Sequence, residues 1–552
     1  MTACRTWSFP GGLALDGHKA VSTREPVAAA PVPPLLVLPL QQHIGNPAVP
    51  VVEAGQRVAR GQVLARADEY VSAPVHAPSS GTVAAIEERP VPHPSGLAAP
   101  CIVIETDGED RPHPDCRPLP DYEALDPSAL RNVIREAGIV GLGGAGFPTF
   151  IKLNPGPDHA VDTLILNGAE CEPWITCDDM LMRERPREII EGLKIMRHAL
   201  RARRCLIGVE DNKPEALAAL EGALEADERD IIRVCPVPTR YPAGGEKQLI
   251  LALTGKAVPS QKLPVEVGIV CHNVGTAAAV YRAIHRGEPL VSRLVTVTGP
   301  AMERPRNLEV RVGTPVSDLL ALAGARTTDI TELVMGGPMM GFELASDAVP
   351  VIKTTNCILG LDHDPHRQAA PVRPCIRCGE CARVCPAKLL PQELYWFARA
   401  RDMDKVQDFH LFDCIECGCC AYVCPSHIPL VQYYRFAKTQ IWAQEKERRK
   451  ADLARRRHEF RLQRLEREKR EKEERQRRKK ELLKKARGGD EAAKQAAIQA
   501  ALERVKARRE QQHARARNVE PRTEAQRKAL AEAEERRRRL AGDGGESDDD
   551  AV

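Results

Sequence analysis

The segment Cys414–Pro425, CIECGCCAYVCP, repeats a cysteine spacing that the chain first uses at Cys375–Pro386, CIRCGECARVCP. Both segments fit C-x2-C-x2-C-x3-C-P, with three cysteines in one tight loop and a fourth cysteine next to proline. This is the spacing of a [4Fe–4S] ligand set in which the fourth cysteine binds the cluster of the other motif. Zinc is the alternative for clustered cysteines, but two complete copies of this spacing favour two iron–sulfur clusters.

The crossed arrangement divides eight cysteines into two ligand sets. The predicted sets are Cys375, Cys378 and Cys381 with Cys424, and Cys414, Cys417 and Cys420 with Cys385. Cys419 fits neither spacing and is predicted to be a small buried residue. The same prediction applies to seven scattered cysteines: Cys4, Cys101, Cys116, Cys205, Cys235, Cys271 and Cys357.

A glycine-rich loop is the candidate source of the electrons that the clusters would carry. Residues 138–153 read GIVGLGGAGFPTFIKL, and loops of this kind bring backbone N–H groups close to phosphate. The loop lacks the Gly-Lys-Ser/Thr of a Walker A motif and is not a GxGxxG motif after a strand. Taken alone, it fits a structural glycine turn as well as a nucleotide site.

The segment GLGGAGFPTFIK resembles the flavin loop of the NADH-oxidising subunit of respiratory complex I. Three later segments match that family in order: NGAECEPWITCDD (167–179), YPAGGEKQLI (241–250) and HNVGTAAAV (272–280). With the N-terminal module, the segment GGPMMG and the two cysteine motifs, residues 5–440 are similar to the C subunits of the ion-translocating Rnf (Rsx) electron-transport complex.

This resemblance implies a site for FMN and NAD(H). It implies phosphate and ribityl contacts from Gly141, Gly143, Gly144 and Lys152. It implies flavin or ribityl contacts from Asn167, Glu170, Gly244, Glu246, Asn273 and Thr276. Phe147 and Glu172 match positions that meet the nicotinamide nucleotide, and a core phenylalanine is the alternative for Phe147.

The chain departs from the complex I pattern at four positions. Leu142 replaces an arginine, Ala169 an aspartate, and Gly245 and Gly275 each a glutamate. Because lost polar groups would weaken or reshape the nucleotide site, two functions stay open. One is a redox subunit that uses FMN and NAD(H); the other is an electron-transfer and docking subunit that has clusters but no working NADH/FMN site.

The predicted fold is multidomain α/β. Residues 35–120 have short β-branched runs between turns, and VEAGQRVARGQVLA resembles the barrel-sandwich hybrid of lipoyl and biotinyl carriers. The carrier lysine is absent, so this is predicted to be a structural β-module. Residues 121–290 alternate helix and strand patterns and are predicted to be the FMN/NADH-binding α/β domain, with a largely parallel sheet. A small soluble-ligand-binding β-grasp-like domain (291–350) and a helical two-[4Fe–4S] ferredoxin domain (365–440) follow.

The two ends of the chain differ from this body. Residues 1–34 are predicted to be an extended lead-in, 441–540 a charged, mostly helical basic tail, and 541–552 an acidic disordered end. Residues 443–540 carry 35 basic and 19 acidic side chains, a net charge of +16. A solvated helix is one interpretation, and contact with anionic lipid headgroups is another. No nucleic-acid partner is predicted, because neither a reading motif nor aromatic interleaving is present.

The sequence predicts a peripheral protein on the cytoplasmic face of the bacterial inner membrane. No run approaches the roughly 20 apolar residues of a spanning helix, and the N-terminus lacks the apolar region of a signal peptide. The expected function is an oxidoreductase/translocase subunit of the NADH:ferredoxin type. It would pass electrons between NAD(H), FMN, two [4Fe–4S] clusters and the membrane subunits of the complex. A soluble ferredoxin-fused regulator without a membrane complex is a third possibility.

Overall fold

The computed structural model describes residues 4–156, 159–362, 371–487 and 491–517. The chain forms two compact units, Met1–Ala443 and Gln444–Val552. The predicted multidomain α/β fold is confirmed. The first unit holds a β-module, an α/β domain with a parallel sheet, a domain with a mixed sheet and a helical region around the cysteine motifs.

The lead-in crosses the first unit and pairs with several parts of it. Its strand β1 (Ala28–Ala29) adds in parallel to a sheet more than 270 residues further along the chain. The N–H of Gly12 donates to the Val384 carbonyl at 2.9 Å, and the N–H of Leu13 donates to the Tyr241 carbonyl at 2.7 Å. The backbone N–H groups of this extended segment therefore find their hydrogen-bond acceptors in elements that are distant in sequence.

Two small antiparallel sheets form the N-terminal β-module. One has the strand order β2-β8-β7-β4 and the other β3-β5-β6. Inward-facing side chains such as Leu36, Leu38 and Ile102 are fully buried between them. The strands are β2 (Leu35–Pro39), β3 (Val49–Pro50), β4 (Arg57–Val58), β5 (Val63–Arg66), β6 (Val75–His76), β7 (Gly81–Pro90) and β8 (Ala98–Thr106).

A four-stranded parallel sheet, ordered β11-β10-β9-β12, carries the central α/β domain. The first helix begins at Pro127, where the Asp126 carboxylate accepts the N–H of Ser128 at 2.8 Å and caps it. The elements are α1 (Pro127–Glu136), α2 (Thr149–Lys152), β9 (Thr163–Gly168), α3 (Cys177–Glu184), α4 (Pro186–Leu200), β10 (Arg204–Glu210), α5 (Pro214–Ala223), β11 (Ile232–Val237), α6 (Glu246–Thr254), β12 (Ile269–Asn273) and α7 (Val274–His285).

The third domain is a mixed six-stranded sheet with the order β1-β14-β13-β17-β15-β16. Its core of Val295, Val297, Leu308 and Ile358 is covered by one helix. The elements are β13 (Ser292–Thr298), β14 (Arg306–Arg311), α8 (Val316–Leu322), β15 (Glu332–Met335), β16 (Phe342–Glu343) and β17 (Cys357–Leu361).

Short helices surround the two cysteine motifs. Leu394, Val406, Leu411 and Tyr434 form the small core between them. The helices are α9 (Glu380–Arg383), α10 (Pro391–Ala400), α11 (Met403–Asp408) and α12 (Cys419–Tyr422), followed by the long α13 (Leu430–Arg487).

In the second unit, α13 continues to Arg487 and α14 spans Glu491–Arg517. Ion pairs four residues apart, such as Glu466 with Arg470, lie along the exposed surface of α13. A helix that is polar on all sides offers no core-facing stripe. None of the described helices is long and apolar enough to cross a membrane. The predicted acidic end, 541–552, lies outside the described residues.

Candidate functional site

A cavity of about 370 Å³ lies where β9 and β12 end, between the glycine-rich loop and the start of α6. Carboxyl ends of parallel strands are where open α/β sheets bind ligands. Of the twelve residues predicted to contact cofactor, ten line the cavity: Gly141, Gly143, Phe147, Lys152, Asn167, Glu170, Glu172, Gly244, Glu246 and Asn273.

The other two predicted residues, Gly144 and Thr276, do not line the cavity. Gly144 has φ +107° and open space around it. Thr276 is buried, and its hydroxyl accepts the N–H of Leu142 at 3.0 Å, so it supports the glycine-rich loop from below.

One wall of the cavity carries a cation. The Lys152 ammonium donates to the Glu246 carboxylate at 2.5 Å and to the Cys271 carbonyl at 2.6 Å. The Asn167 amide donates to the Gly244 carbonyl at 2.8 Å and so links the end of β9 to the turn before α6. The ammonium and the nearby glycine N–H groups are the donors that a phosphate ester requires.

The side-chain carboxylate of Glu170 lies at the start of α3. It accepts the N–H groups of Asp178 and Asp179 at 2.6 and 3.1 Å. Burial raises the pKa of Glu170, and the Lys19 ammonium opposes this effect. Lys19 comes from the lead-in and donates to three backbone carbonyls of this segment, those of Glu170, Glu172 and Ile175. Nothing in the local sequence around Lys19 indicates this role.

Glu172 is turned toward the third domain. Its carboxylate accepts the N–H groups of Met339 and Met340 at 2.7 and 2.9 Å. Burial raises the pKa of Glu172, and these two hydrogen bonds partly offset that effect. Met340 also lines the cavity. The segment GGPMMG therefore forms part of the site.

Two of the four departures have neighbours that sequence reasoning missed. The buried Arg293 guanidinium, from β13, donates to the carbonyls of Leu142 and Thr355, both at 3.1 Å. A guanidinium thus does reach the loop at the position where the complex I pattern has an arginine. At the second departure, the Lys213 ammonium donates to the Ala169 carbonyl at 2.7 Å. Both residues come from parts of the chain that are distant in sequence.

The two predicted cysteine sets surround two separate small cavities. One is lined by Cys385, Cys414, Cys417 and Cys420, and the other by Cys375, Cys378, Cys381 and Cys424. Four thiols converging on one space are the donor set of a [4Fe–4S] cluster, so the residues present fit the group. Cys419 is fully buried at the wall of the first cavity.

The first cysteine cavity adjoins the cavity of about 370 Å³ at the glycine-rich loop, which we call the flavin-type cavity after the flavin loop that its sequence resembles. Ile415 lines both of them. Tyr241 lines the flavin-type cavity, and its hydroxyl donates to the Cys417 carbonyl at 2.7 Å. The second cysteine cavity lies further out, since Cys378 is exposed at its rim.

One prediction about the scattered cysteines is wrong. Cys4 and Cys235 are not separate buried thiols but form a disulfide with a Cα–Cα distance of 5.5 Å. The lead-in runs back beside β11 and brings together residues 231 positions apart, which sequence spacing could not indicate. Buried thiols are found, as predicted, at Cys101, Cys205, Cys271 and Cys357, whereas Cys116 is only partly buried.

Four family models match the chain. They are the RnfC barrel sandwich hybrid domain (7–109), the Nuo51 FMN-binding domain (134–282), the SLBB domain (294–343) and the 4Fe-4S dicluster domain (374–428). The second and fourth matches cover most of the residues that line the three cavities. They confirm the predicted cofactors, FMN and two [4Fe–4S] clusters.

Several curated relatives are named as the C subunit of an ion-translocating oxidoreductase complex. The relative from Pseudomonas aeruginosa is 50% identical over 460 residues, which are 83% of this chain and 59% of the relative. The relative from Edwardsiella ictaluri is 48% identical over 464 residues, which are 84% of this chain and 57% of the relative. That from Yersinia pestis is 47% identical over 463 residues, 84% of this chain and 74% of the relative. The chain thus spans less than two thirds of the first two relatives.

Among solved structures, a similar chain occurs in an NAD+-reducing [NiFe]-hydrogenase in the air-oxidized state. The TM-score is 0.43 and the sequence identity 22%. The match covers 52% of this chain and 55% of that chain.

Proposed function

The chain belongs to the RnfC family, the C subunits of ion-translocating oxidoreductase complexes, and from that premise we propose that it is the peripheral electron-transfer subunit of a membrane-bound complex. The complex would couple NADH/ferredoxin redox chemistry to ion translocation. The observation that carries this proposal is the shared wall at Ile415 between the flavin-type cavity and a four-cysteine cavity. Cofactors held in adjoining cavities can exchange electrons without leaving the protein.

The residues of the flavin-type cavity have distinct tasks in this proposal. Lys152 and the N–H groups of the glycine-rich loop would hold the phosphate of FMN, and Asn167 and Asn273 would contact its flavin or ribityl part. Bound FMN would supply the conversion between hydride transfer with NAD(H) and single-electron transfer, a conversion that no protein side chain provides. Phe147 and Met340 restrict the opening through which a nicotinamide would enter.

The cysteine sets would act in a fixed order. The set Cys414, Cys417, Cys420 and Cys385 adjoins the flavin-type cavity, so it serves the inner step. The set Cys375, Cys378, Cys381 and Cys424 reaches the surface at Cys378 and serves the exchange with a partner. Exposed Ile376 and Val372 beside it suit contact with a membrane subunit of the complex.

Anaerobic reconstitution tests the proposal. The purified chain would be loaded with iron, sulfide and FMN and then mixed with NADH, while the flavin and cluster absorbances are followed separately. We expect NADH to bleach both. Clusters that only dithionite reduces, in a chain that retains no flavin, would favour the alternative of an electron-transfer and docking subunit without a working NADH/FMN site.

The basic tail has its own proposed role at the membrane. Its net charge of +16 over residues 443–540 suits the anionic headgroups of the cytoplasmic leaflet, where each basic residue contributes about 1 kcal/mol. Beyond residue 443, the described part of α13 is highly charged on all sides and exposes most of its few apolar residues, so its cations stay available. Contact through this tail would hold the subunit peripherally on the cytoplasmic face of the inner membrane.

A further inference from the structure

The segment GGPMMG, residues 336–341, joins β15 to β16 and lies between the flavin-type cavity and the cysteine loop 414–420. We call it the brace loop. The function proposed above uses only its Met340, and the loop belongs to a different domain from both of its neighbours. Its contacts with each neighbour are specific enough to define a task.

The brace loop is anchored to the cavity by one carboxylate. The N–H groups of Met339 and Met340 both donate to the same oxygen of Glu172, at 2.7 and 2.9 Å. Hydrogen bonds to a charged acceptor are about twice as strong as neutral ones. A Cβ atom on Gly337 would lie 2.0 Å from the Cγ of Glu172. Only glycine therefore lets the loop close over this side chain.

The other side of the brace loop holds the cysteine loop. The Met339 side chain packs against the buried cluster of Tyr241, Val384, Cys417 and Cys419. Its carbonyl oxygen lies 2.8 Å from the position that a Cβ atom on Gly418 would occupy. Gly418 has φ +80°, a conformation that L side chains rarely adopt, so both the conformation and the close approach require glycine here.

Met340 faces the cavity itself. It lines the flavin-type cavity and is 46% exposed, which places its side chain at the opening. One short loop therefore contacts the anchor Glu172, the inner cysteine loop and the entrance for a nucleotide.

We propose that the brace loop is a positioning element that sets the inner cysteine loop against the flavin-type cavity, with Glu172 as its anchor and Met340 as part of the nucleotide entrance. The proposal rests on the function proposed above. It also revises the sequence prediction for Glu172, whose carboxylate holds the loop in place instead of contacting the nicotinamide. Glu172 and Met339 are thus positioning residues.

Gly337→Ala tests the brace directly. The new methyl group must displace Glu172, so we expect faster backbone hydrogen exchange in peptides covering both 336–341 and 414–424. Gly222→Ala on α5 is the matched control, because nothing lies within 4 Å of its added Cβ. Exchange is measured on the cofactor-loaded chain without NADH, so the result is independent of whether the chain oxidises NADH. Unchanged exchange in 414–424 would overturn the proposal.

A rate measurement adds a second readout. In stopped-flow mixing with NADH, Gly337→Ala should slow cluster reduction more than flavin reduction. We expect a loss of about tenfold or more, because a 1 Å misplacement of reacting groups can cost about 100-fold. Equal slowing of both phases would contradict a role in positioning the inner cysteine loop. If Gly337→Ala fails to fold, Met339→Ala replaces it, since it removes the side chain that packs on the cluster that contains Cys417 and Cys419.

Glu172 variants separate anchoring from nicotinamide contact. Glu172→Gln keeps an oxygen that can accept both N–H groups, whereas Glu172→Ala keeps none. We expect hydrogen exchange at 336–341 to rise in the alanine variant and to stay closer to wild type in the glutamine variant. The KM for NADH should follow the same order. If hydrogen exchange at 336–341 stays at the wild-type level in Glu172→Ala, the anchor role is wrong. If Glu172→Gln keeps wild-type exchange but raises the KM as much as Glu172→Ala, the carboxylate contacts the nicotinamide and the revised assignment of Glu172 is wrong.

Discussion

Replacing Lys213 with methionine removes the cation from a buried ion pair beside the flavin-type cavity. Lys213 and Glu210 are each 1% exposed, and their charged groups are 2.9 Å apart. The ammonium also donates to the Ala169 carbonyl at 2.7 Å and to the Asn212 side chain at 3.0 Å. All three of its protons are therefore used, and methionine keeps most of the volume while leaving the Glu210 carboxylate buried without its partner.

The expected loss of stability follows from that uncompensated charge. Breaking a buried pair by removing one partner costs about 3–5 kcal/mol. For a domain of this size, each kcal/mol shifts the melting temperature by about 2–4 °C, so the transition of the α/β domain should fall by about 6–20 °C. Differential scanning calorimetry measures this shift.

The double variant Glu210→Gln with Lys213→Met provides the decisive comparison. It removes both charges, so it should recover much of the stability lost in the single variant. Lys262→Met is the surface control, since the Lys262–Glu266 pair is largely exposed and such pairs contribute little. A double variant as unstable as Lys213→Met alone, or a Lys213→Met melting curve like that of the control, would refute the reasoning from buried charge.

The remaining predictions concern the clusters, acid stability and the tail. Cys385→Ala and Cys424→Ala should each impair the cluster whose other ligands lie in the opposite motif, whereas Cys419→Ala should keep both clusters. Electron paramagnetic resonance and iron content measure the outcome. Loss of a cluster in Cys419→Ala would contradict the assignment. Arg282 and Arg185 lower the pKa of Glu309 to about 2 although burial opposes them. Its stabilisation of about 3 kcal/mol should therefore be present above about pH 4.5 and be lost as the pH falls toward 2. Glu309→Gln should thus be less stable than wild type at pH 7 but nearly equal to it near pH 2 in chemical denaturation. Deleting residues 443–552 should weaken binding to anionic vesicles at low salt; unchanged binding that is insensitive to salt would exclude the lipid role of the tail.

Local spacing explains what the sequence could predict. Cysteines three residues apart in one loop must lie near each other, so Cys375, Cys378 and Cys381 could be grouped without any knowledge of the fold. The contacts that were missed join residues far apart in sequence. Lys19 reaches the segment 170–175 from the lead-in, and Arg293 reaches the glycine-rich loop from another domain. Such contacts depend on how domains pack, and no periodicity or motif in a single sequence encodes that packing.

The four departures from the complex I pattern bear on which function the site can serve. Taken one at a time, each lost polar group favours a subunit that has clusters but no nucleotide site. In the folded chain, however, a guanidinium donates to the Leu142 carbonyl and an ammonium to the Ala169 carbonyl.

These two contacts weaken the case that the four departures make against a nucleotide site. Burying a charge is costly unless it is paired and hydrogen-bonded. Lys213 is paired with Glu210, so Arg293 is the buried cation whose cost calls for an explanation. Arg293 is buried with hydrogen bonds only to carbonyl oxygens among the described residues, and one of these belongs to the glycine-rich loop itself. The guanidinium therefore supports the backbone of this loop through the Leu142 carbonyl, which is consistent with the proposal that the loop binds a phosphate.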